Sequence, residues 1–455
     1  MKTGHEVNRR KFIKTTTAAG VGLSLMGFPK LVSGKDDRKV RMALIGVGLR
    51  GRNHLHLLLQ RPDTEVVAIC DIDPEALAKA RDMIKNAGKK AAKEFTGSET
   101  AYKKMLEEDN IDGVVISTPW LWHTRMAVDT MKAGKYAGVE ISAANTLEEC
   151  WDLVNTHEAT GMPVMILENV CYRRDVMAVL QMVRNGLFGE LIHLECGYQH
   201  DLREVKFNNG KQPYGGGVEF GDKGYSEARW RTYHSIYRNG DIYPTHGAGP
   251  AAQFININRG NRFDYLTSTA SKARGLHEYI VEKGGEDHPN ADIKFKLGDV
   301  ITTVIRTVNG ETITVQHDTN LPRPYSLGFR VQGTKGIWMD LNDSIYIEGR
   351  SQPHRWEPDK AYMEEFDHPL WKKYEAQAVG AGHGGMDFFV INAFVESIKR
   401  QAPTPLDAYD AAAWSAITPL SEQSIAGGSE PVAFPDFTRG QWMKRKPVFA
   451  LNGKY

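Results

Sequence analysis

The sequence is poor in the features that mark a membrane, nucleic-acid or metal protein. No apolar run reaches the roughly 20 residues that a membrane-crossing helix needs, so no integral membrane span is expected. Its 57 basic and 56 acidic residues nearly cancel, leaving no charge excess to attract nucleic acid. The four cysteines, Cys70, Cys150, Cys171 and Cys196, lack C-x-x-C spacing and read as buried free thiols. His200, His234 and His246 lie far apart, without an H-x-x-x-H or H-E-x-x-H pattern, so no metal site is expected. No internal repeat or low-complexity segment interrupts the 455 residues, a length that suits two or three domains with a core needing no disulfide staples.

What the sequence does contain begins at residues 40–52, VRMALIGVGLRGR. A buried strand over 42–45 leads into Gly46, Gly48 and Gly51, the G-x-G-x-x-G spacing, and a helix continues over 54–60. The first glycine permits a tight turn, the second a close approach of backbone to a pyrophosphate, and the third close packing of helix on strand. A second strand over 65–70 ends at Asp71, 20 residues after Gly51. A carboxylate there accepts from the ribose hydroxyls of NAD and repels a 2′-phosphate, so NAD is expected over NADP.

Ahead of this unit, Asn8-Arg9-Arg10-Lys11-Phe12-Ile13-Lys14 precedes a mildly apolar, charge-poor stretch over 15–28. The pattern resembles a twin-arginine export signal, which implies export of a folded protein to the periplasm. The segment Leu31-Val32-Ser33-Gly34 is not a clean A-x-A, so the cleavage point stays open.

From residue 40 to about 167, apolar runs (42–45, 66–70, 113–117, 136–139 and 164–167) alternate with amphipathic helical stretches. Among these helices, 74–86 opens on proline, and 146–160 carries the capping-box pattern Thr146-x-x-Glu149. This is the rhythm of a doubly wound parallel sheet. Past Cys171 the rhythm changes. A helix over 174–185 and a strand over 191–197 precede a long polar stretch, 199–241, of the kind that is either a functional loop or an insertion. Strand-like runs follow at 265–273, 300–308, 312–317 and 326–333, with a turn at Asn309-Gly310, and helices at 386–400 and 408–426. The expected fold is α/β: a leader over 1–34, a Rossmann domain over 35–171, a C-terminal α/β domain with a mostly antiparallel sheet over 172–433, and an extended arm over 434–455.

Ligands of doubly wound sheets bind beyond the carboxyl ends of the strands. There stand Ser117-Thr118-Pro119-Trp120-Leu121-Trp122-His123, then Glu140-Ile141-Ser142, then Glu168-Asn169-Val170-Cys171-Tyr172-Arg173-Arg174. The T-P-x-x-x-H segment and the strand ending in glutamate resemble the glucose–fructose oxidoreductase and inositol dehydrogenase superfamily, whose second domain carries the substrate on an open sheet. That superfamily usually has Glu-Lys-Pro where this chain has Glu140-Ile141-Ser142, so the proton-handling lysine is absent. The segments ENVCYRRDV, GYQHDLR, YPTHG, RPYSLGF and GAGHGGMD, together with the leader, resemble the NAD-dependent α-N-acetylgalactosaminidases of glycoside hydrolase family 109.

This resemblance implies hydrolysis of terminal α-linked N-acetylgalactosamine from glycans without net redox change. The steps are oxidation at C3, loss of the C2 proton with elimination of the glycosidic group, addition of water, and re-reduction. Paired carboxylates are then not required, because the cofactor carries the hard chemistry. The residues that match line NAD as Gly46, Gly48, Leu49, Arg50, Gly51, Asp71, Trp120, Leu121, Trp122, His123, Glu140, Ile141, Asn169 and Tyr243. Those that match the sugar site are Tyr198, Arg231, Tyr243, Pro244, Thr245, His246 and Tyr325.

The catalytic candidates are His246, Tyr325 and Tyr172. His246 suits the C3 hydroxyl, since imidazole takes a proton at neutral pH. Tyr325 or Tyr172 would act at C2 or the leaving oxygen, with Arg173 or Arg323 supplying the positive charge that a phenolic base needs. The alternative is an NAD-dependent sugar or cyclitol dehydrogenase, which would accumulate NADH. Members of the superfamily often pair through the open sheet, which implies a homodimer; no sequence feature decides it.

Overall fold

The computed structural model describes residues 38–451 and 453–455. The twin-arginine segment and the proposed leader boundary lie outside these residues. The first sheet is parallel, with order β3-β2-β1-β4-β5-β6, formed by β1 (Val40–Ile45), β2 (Thr64–Cys70), β3 (Lys93–Phe95), β4 (Gly113–Ile116), β5 (Tyr136–Val139) and β6 (Val164–Ile166). This is the order of a Rossmann fold, whose crevice opens where the strand order reverses, between β1 and β4. All five expected apolar runs lie within two residues of these strands, because a parallel strand buried on both faces is apolar throughout.

Helix Pro74–Asn86 matches its expected bounds, with the Asp73 carboxylate accepting from the Glu75 and Ala76 amides. Thr146 caps Leu147–Thr160 as expected, accepting from the Glu149 amide. Glu149, however, reaches back to the amide of Asn145, one residue before the cap, so the box is offset.

The second sheet has nine strands in the order β14-β13-β12-β11-β7-β10-β9-β8-β15. These are β7 (Leu191–Gln199), β8 (Phe263–Ala270), β9 (Val300–Thr307), β10 (Thr312–Asp318), β11 (Arg330–Gly333), β12 (Gly336–Met339), β13 (Ser344–Ile347), β14 (Glu357–Pro358) and β15 (Val432–Ala433). All its pairings are antiparallel except β10 with β7. Strands β9 and β10 alternate buried and more exposed residues, so one face packs on helices and the other is left open.

One expected helix is corrected. The 408–426 segment forms two helices, Ala408–Ser415 and Ile417–Ala426. Pro419 has no amide to donate to the Ser415 carbonyl, so the first helix ends there. Helix Thr245–Phe254 crosses β7 at very short range: a Cβ on Gly247 would lie 2.5 Å from the Gly197 nitrogen. That approach brings His246 beside Tyr198.

The four cysteines are free and buried, as read from the sequence. Among the described residues no helix is long and apolar enough to cross a membrane.

Candidate active site

The glycine turn has the shape that a dinucleotide needs. Gly46 sits at φ +84°, and a Cβ there would lie 2.6 Å from the Ser117 carbonyl oxygen. A Cβ on Gly51 would stand 2.0 Å from the Gly46 carbonyl oxygen, so the helix Leu49–Gln60 reaches its depth only with glycine at this position. Nothing lies within 4 Å of the point a Cβ on Gly48 would occupy. Gly48 also caps the helix without any side-chain bond, leaving the first amides free for an anion. At the end of β2, the Asp71 carboxylate accepts from the amides of Val47 (2.7 Å) and Asp73 (2.9 Å). Burial raises its pKa against those donors.

Arg50 leaves this turn and joins three distant segments. Its Nε donates to Glu140 Oε1 at 2.5 Å, while its two terminal nitrogens grip Asp387 at 2.7 and 3.0 Å. His54 Nε2 meets the same Glu140 oxygen at 2.6 Å, and Asn169 donates to Asp387 at 2.7 Å. Burial pushes both carboxylates up, but Arg50 outweighs it and holds Glu140 and Asp387 well below the usual carboxylate range. Leu49 is half-buried beside Arg50, and Ile141 is buried behind Glu140.

At the third strand end, Trp120 is buried, Leu121 is exposed, and Trp122 is half-buried with the Arg125 guanidinium 4.8 Å over its ring. His123 is a correction. It is buried, with Nδ1 2.8 Å from the Ser142 carbonyl and Nε2 2.7 Å from that of Thr118. Burial lowers its pKa, so the neutral ring donates its single N–H to one of these two carbonyls, and the side chain is spent between two crevice turns rather than on a ligand.

The sugar-site candidates meet around Tyr243. Its ring stacks on Trp120 at 5.2 Å, tilts against Tyr198 at 4.6 Å and stands edge-on to His246 at 5.2 Å. The buried Arg231 guanidinium lies 4.7 Å from the Trp120 ring and 5.2 Å from that of Tyr243, and is paired with Glu227 at 2.6 Å. His246 Nδ1–H donates to Glu168 Oε1 at 2.7 Å. Tyr198 Oη lies 2.9 Å from His200 Nδ1, and the half-exposed Tyr325 ring is 5.0 Å from that of His200. Pro244 and Thr245 are buried in the turn that presents His246, with Thr245 Oγ1 facing no hydrogen-bond partner among the described residues.

Tyr172 is a second correction. It is fully buried between Phe389 and Phe449, its hydroxyl has no hydrogen-bond partner among the described residues, and burial raises its pKa well above the phenol value. It is a core aromatic. Burial also lifts Tyr325, to about 12, against the opposing Arg173 charge. The Arg173 guanidinium is committed to Asp175 and Asp340, and that of Arg323 to Asp318.

Four residues of the site were not singled out from the sequence: Glu168, Asp387, His200 and His54. Glu168 and Asp387 had a usable signal: Glu168 opens a segment placed at the crevice, and Asp387 closes GAGHGGMD, one of the segments that carry the family resemblance. His54 had none, being one of several polar residues on a helix.

Residues 172–444 match the family model described as glycosyl hydrolase 109, C-terminal domain. Residues 40–167 match that of the oxidoreductase family with an NAD-binding Rossmann fold, so the cofactor is NAD. A glycosyl hydrolase family 109 protein of Stenotrophomonas maltophilia is 58% identical, covering 99% of both chains. The α-N-acetylgalactosaminidase of Tannerella forsythia is 53% identical over 98% of this chain and 100% of its own. Solved structures of the same fold include levoglucosan dehydrogenase with NADH and levoglucosan (18% identity, TM-score 0.61, 88% of this chain and 100% of that one). Another is an NAD-binding oxidoreductase from Klebsiella pneumoniae (14% identity, TM-score 0.63, 88% and 99%).

Proposed function

The chain belongs to glycosyl hydrolase family 109, and from that premise we propose that it removes terminal α-linked N-acetylgalactosamine from glycans by redox-neutral, NAD-dependent elimination and hydration. The observation that carries this reading is the His246–Glu168 pair set among Tyr198, Tyr243 and Arg231, beside a strand end that offers Ile141 where a dehydrogenase of the superfamily has its lysine.

The glycine turn would hold the pyrophosphate and Asp71 the ribose. Bound NAD supplies a reversible two-electron acceptor for C3 of the sugar. His246, with its Nδ1–H committed to Glu168, has Nε2 left to take the C3 hydroxyl proton and later return it. Tyr325 keeps its proton at neutral pH and so serves as donor to the leaving oxygen rather than as base. Burial lowers the pKa of His200, which is therefore a neutral imidazole near pH 7, suited to receive the C2 proton. Arg231, fixed by Glu227 and flanked by aromatic rings, offers its remaining N–H groups to the sugar's acceptor oxygens.

The test follows 4-nitrophenol release from the α-glycosides of N-acetylgalactosamine and of galactose, with absorbance at 340 nm in the same cuvette. Release from the N-acetylated glycoside without stoichiometric NADH is the expected result. NADH growing on free sugars without nitrophenol would return the protein to the dehydrogenases.

Two further proposals go with this reading. Export by the twin-arginine route to the periplasm rests on the Arg9-Arg10 pattern, and a lysine pair at those positions should retain the protein in the cytoplasm. A homodimer through the open face of the nine-stranded sheet is supported by Val304 and Ile192, apolar residues exposed on β9 and β7. Charged residues at both positions should halve the mass measured by light scattering.

A further inference from the structure

A cavity of about 870 Å³ has Tyr325 in its wall. Its wall is formed by Tyr325, Arg173, Arg174, Met363, His383 and Met386, among others. Tyr198, Arg231, Tyr243 and His246 do not line it, nor does any residue of the glycine turn. Its size is in the range of roughly 300–1,000 Å³ over which proteins enclose small-molecule ligands, more space than a departing hydroxyl requires.

The wall is largely apolar, and its charged side chains balance one another. Arg173 is paired with Asp175 and Asp340, and Arg174 with Asp367 and Glu375. The wall's third cation, Lys360, stands 3.9 Å from Glu364, so the wall has no unmatched positive charge to repay the desolvation of an anion. Between the ion pairs stand Met363, Met386 and the ring of Tyr325, which is 49% exposed. Hydroxyl-rich, uncharged molecules with apolar C–H faces fit such a surface: the hydroxyls meet the ion pairs and the C–H faces meet the thioethers and the ring.

We infer that this cavity is the subsite for the leaving group, and that its occupant is the reducing-end portion of a neutral oligosaccharide. The inference rests on the glycosidase reading above, because Tyr325, the proposed donor to the leaving oxygen, is the one side chain common to the sugar site and the cavity. A glycan seated with its terminal sugar against Tyr198 and His246 then passes Tyr325 at the scissile bond and continues into the cavity.

The experiment compares kcat/KM on 4-nitrophenyl α-N-acetylgalactosaminide, on a neutral trisaccharide ending in the same α-linked sugar, and on that trisaccharide sulfated on its reducing-end unit. The wild-type enzyme and the Met363→Trp variant are both assayed. Met363 is half-buried on the short helix Lys360–Glu365, so a larger ring there projects into the cavity. The expected result is at least a tenfold loss on the neutral trisaccharide in the variant, with less than a twofold change on the nitrophenyl glycoside. Wild type should also cleave the sulfated trisaccharide at least tenfold more slowly than the neutral one. Equal effects on both neutral substrates, or equal rates on neutral and sulfated glycans, would overturn the inference. A wild-type arm needs no folded variant: the leaving disaccharide should inhibit competitively and receive saturation transfer from the protein, and the absence of both would also overturn it. Absence of nitrophenol release by the wild type would instead overturn the glycosidase reading, and the subsite with it.

Discussion

Glu168 Oε1 stands 2.7 Å from His246 Nδ1, although the two residues are 78 positions apart and on different elements. Glu168 lies two residues past the last strand of the parallel sheet and has no exposed surface; its Oε1 also accepts from the Val170 amide at 3.0 Å. His246 lies in the first turn of the helix that crosses β7. The carboxylate fixes the imidazole with hydrogen on Nδ1, so the nitrogen available for proton transfer is Nε2. His246→Asn is expected to lower kcat by about 10²–10⁴. Glu168→Gln, which keeps shape but not charge, should cost on the order of tenfold. NAD titration by fluorescence should be unchanged in both variants; weakened NAD binding would assign the pair a structural role.

Arg50 neutralises two buried carboxylates at once, so its loss should be felt in stability before activity is considered. Arg50→Leu leaves Glu140 and Asp387 without their counter-ion, a change that costs about 3–5 kcal/mol in buried pairs. Urea unfolding should show the loss. Arg50→Lys should recover part of it, because the charge remains but the fork to Asp387 does not. Equal stability of wild type and Arg50→Leu would contradict the network.

Lys206 supplies the pH prediction. It is buried, with Nζ donating to the Thr319 carbonyl and hydroxyl and to the Asn320 side chain, and no carboxylate pairs with it among the contacts described. Burial lowers its pKa to about 7, with Arg231 and His317 among the charged and titratable groups nearby. Between about pH 7 and the unfolded lysine value near ~10.4, the unfolded state binds one more proton, so this group makes stability rise with pH across that window. At roughly 1.4 kcal/mol per unit, its contribution is at most about 5 kcal/mol. Lys206→Met removes the titration. The stability difference between variant and wild type, measured by urea unfolding from pH 7 to 10, should therefore shift steadily toward wild type, and a constant difference would refute this.

Asp71 governs the choice of dinucleotide. Asp71→Asn retains an acceptor for the Val47 amide but removes the charge, and should weaken NAD binding by roughly 10–100-fold, the range of one hydrogen bond to a charged group. NADP binding should fall less or improve. Equal losses for the two would mean that Asp71 only shapes the turn.

How much of this was legible depended on the distance over which each signal acts. The glycine turn, the proline start of helix 74–86 and the Thr146 cap are local, and each was readable because a few consecutive residues dictate the backbone. The β12 and β13 strands escaped notice: four residues each, they are too short to display an alternation, and their identity rests on pairing, β12 with β11 and β13 with β12. Tyr172 misled because it precedes the arginine pair, whereas its direction is set by packing against Phe389 and Phe449, which come more than 200 positions later. Asp387 and Glu168 looked like ordinary helix and strand-end carboxylates until Arg50 and His246 were brought to them. His123 read as a ligand from its T-P-x-x-x-H context, yet that context positions it for the Ser142 carbonyl.

Helix Met386–Arg400 packs against the first sheet, where glycines leave room for it. A Cβ on Gly113 would stand 2.4 Å from Ile398 Cδ1, and one on Gly138 would stand 2.9 Å from the Phe394 ring. Arg61 and Lys399 add ion pairs across the same seam. During synthesis, the first 170 residues leave the ribosome with this apolar surface bare, and it stays bare until some 230 more have been added. The dinucleotide-binding half therefore completes its core only with a helix supplied from more than 200 residues downstream of its last strand.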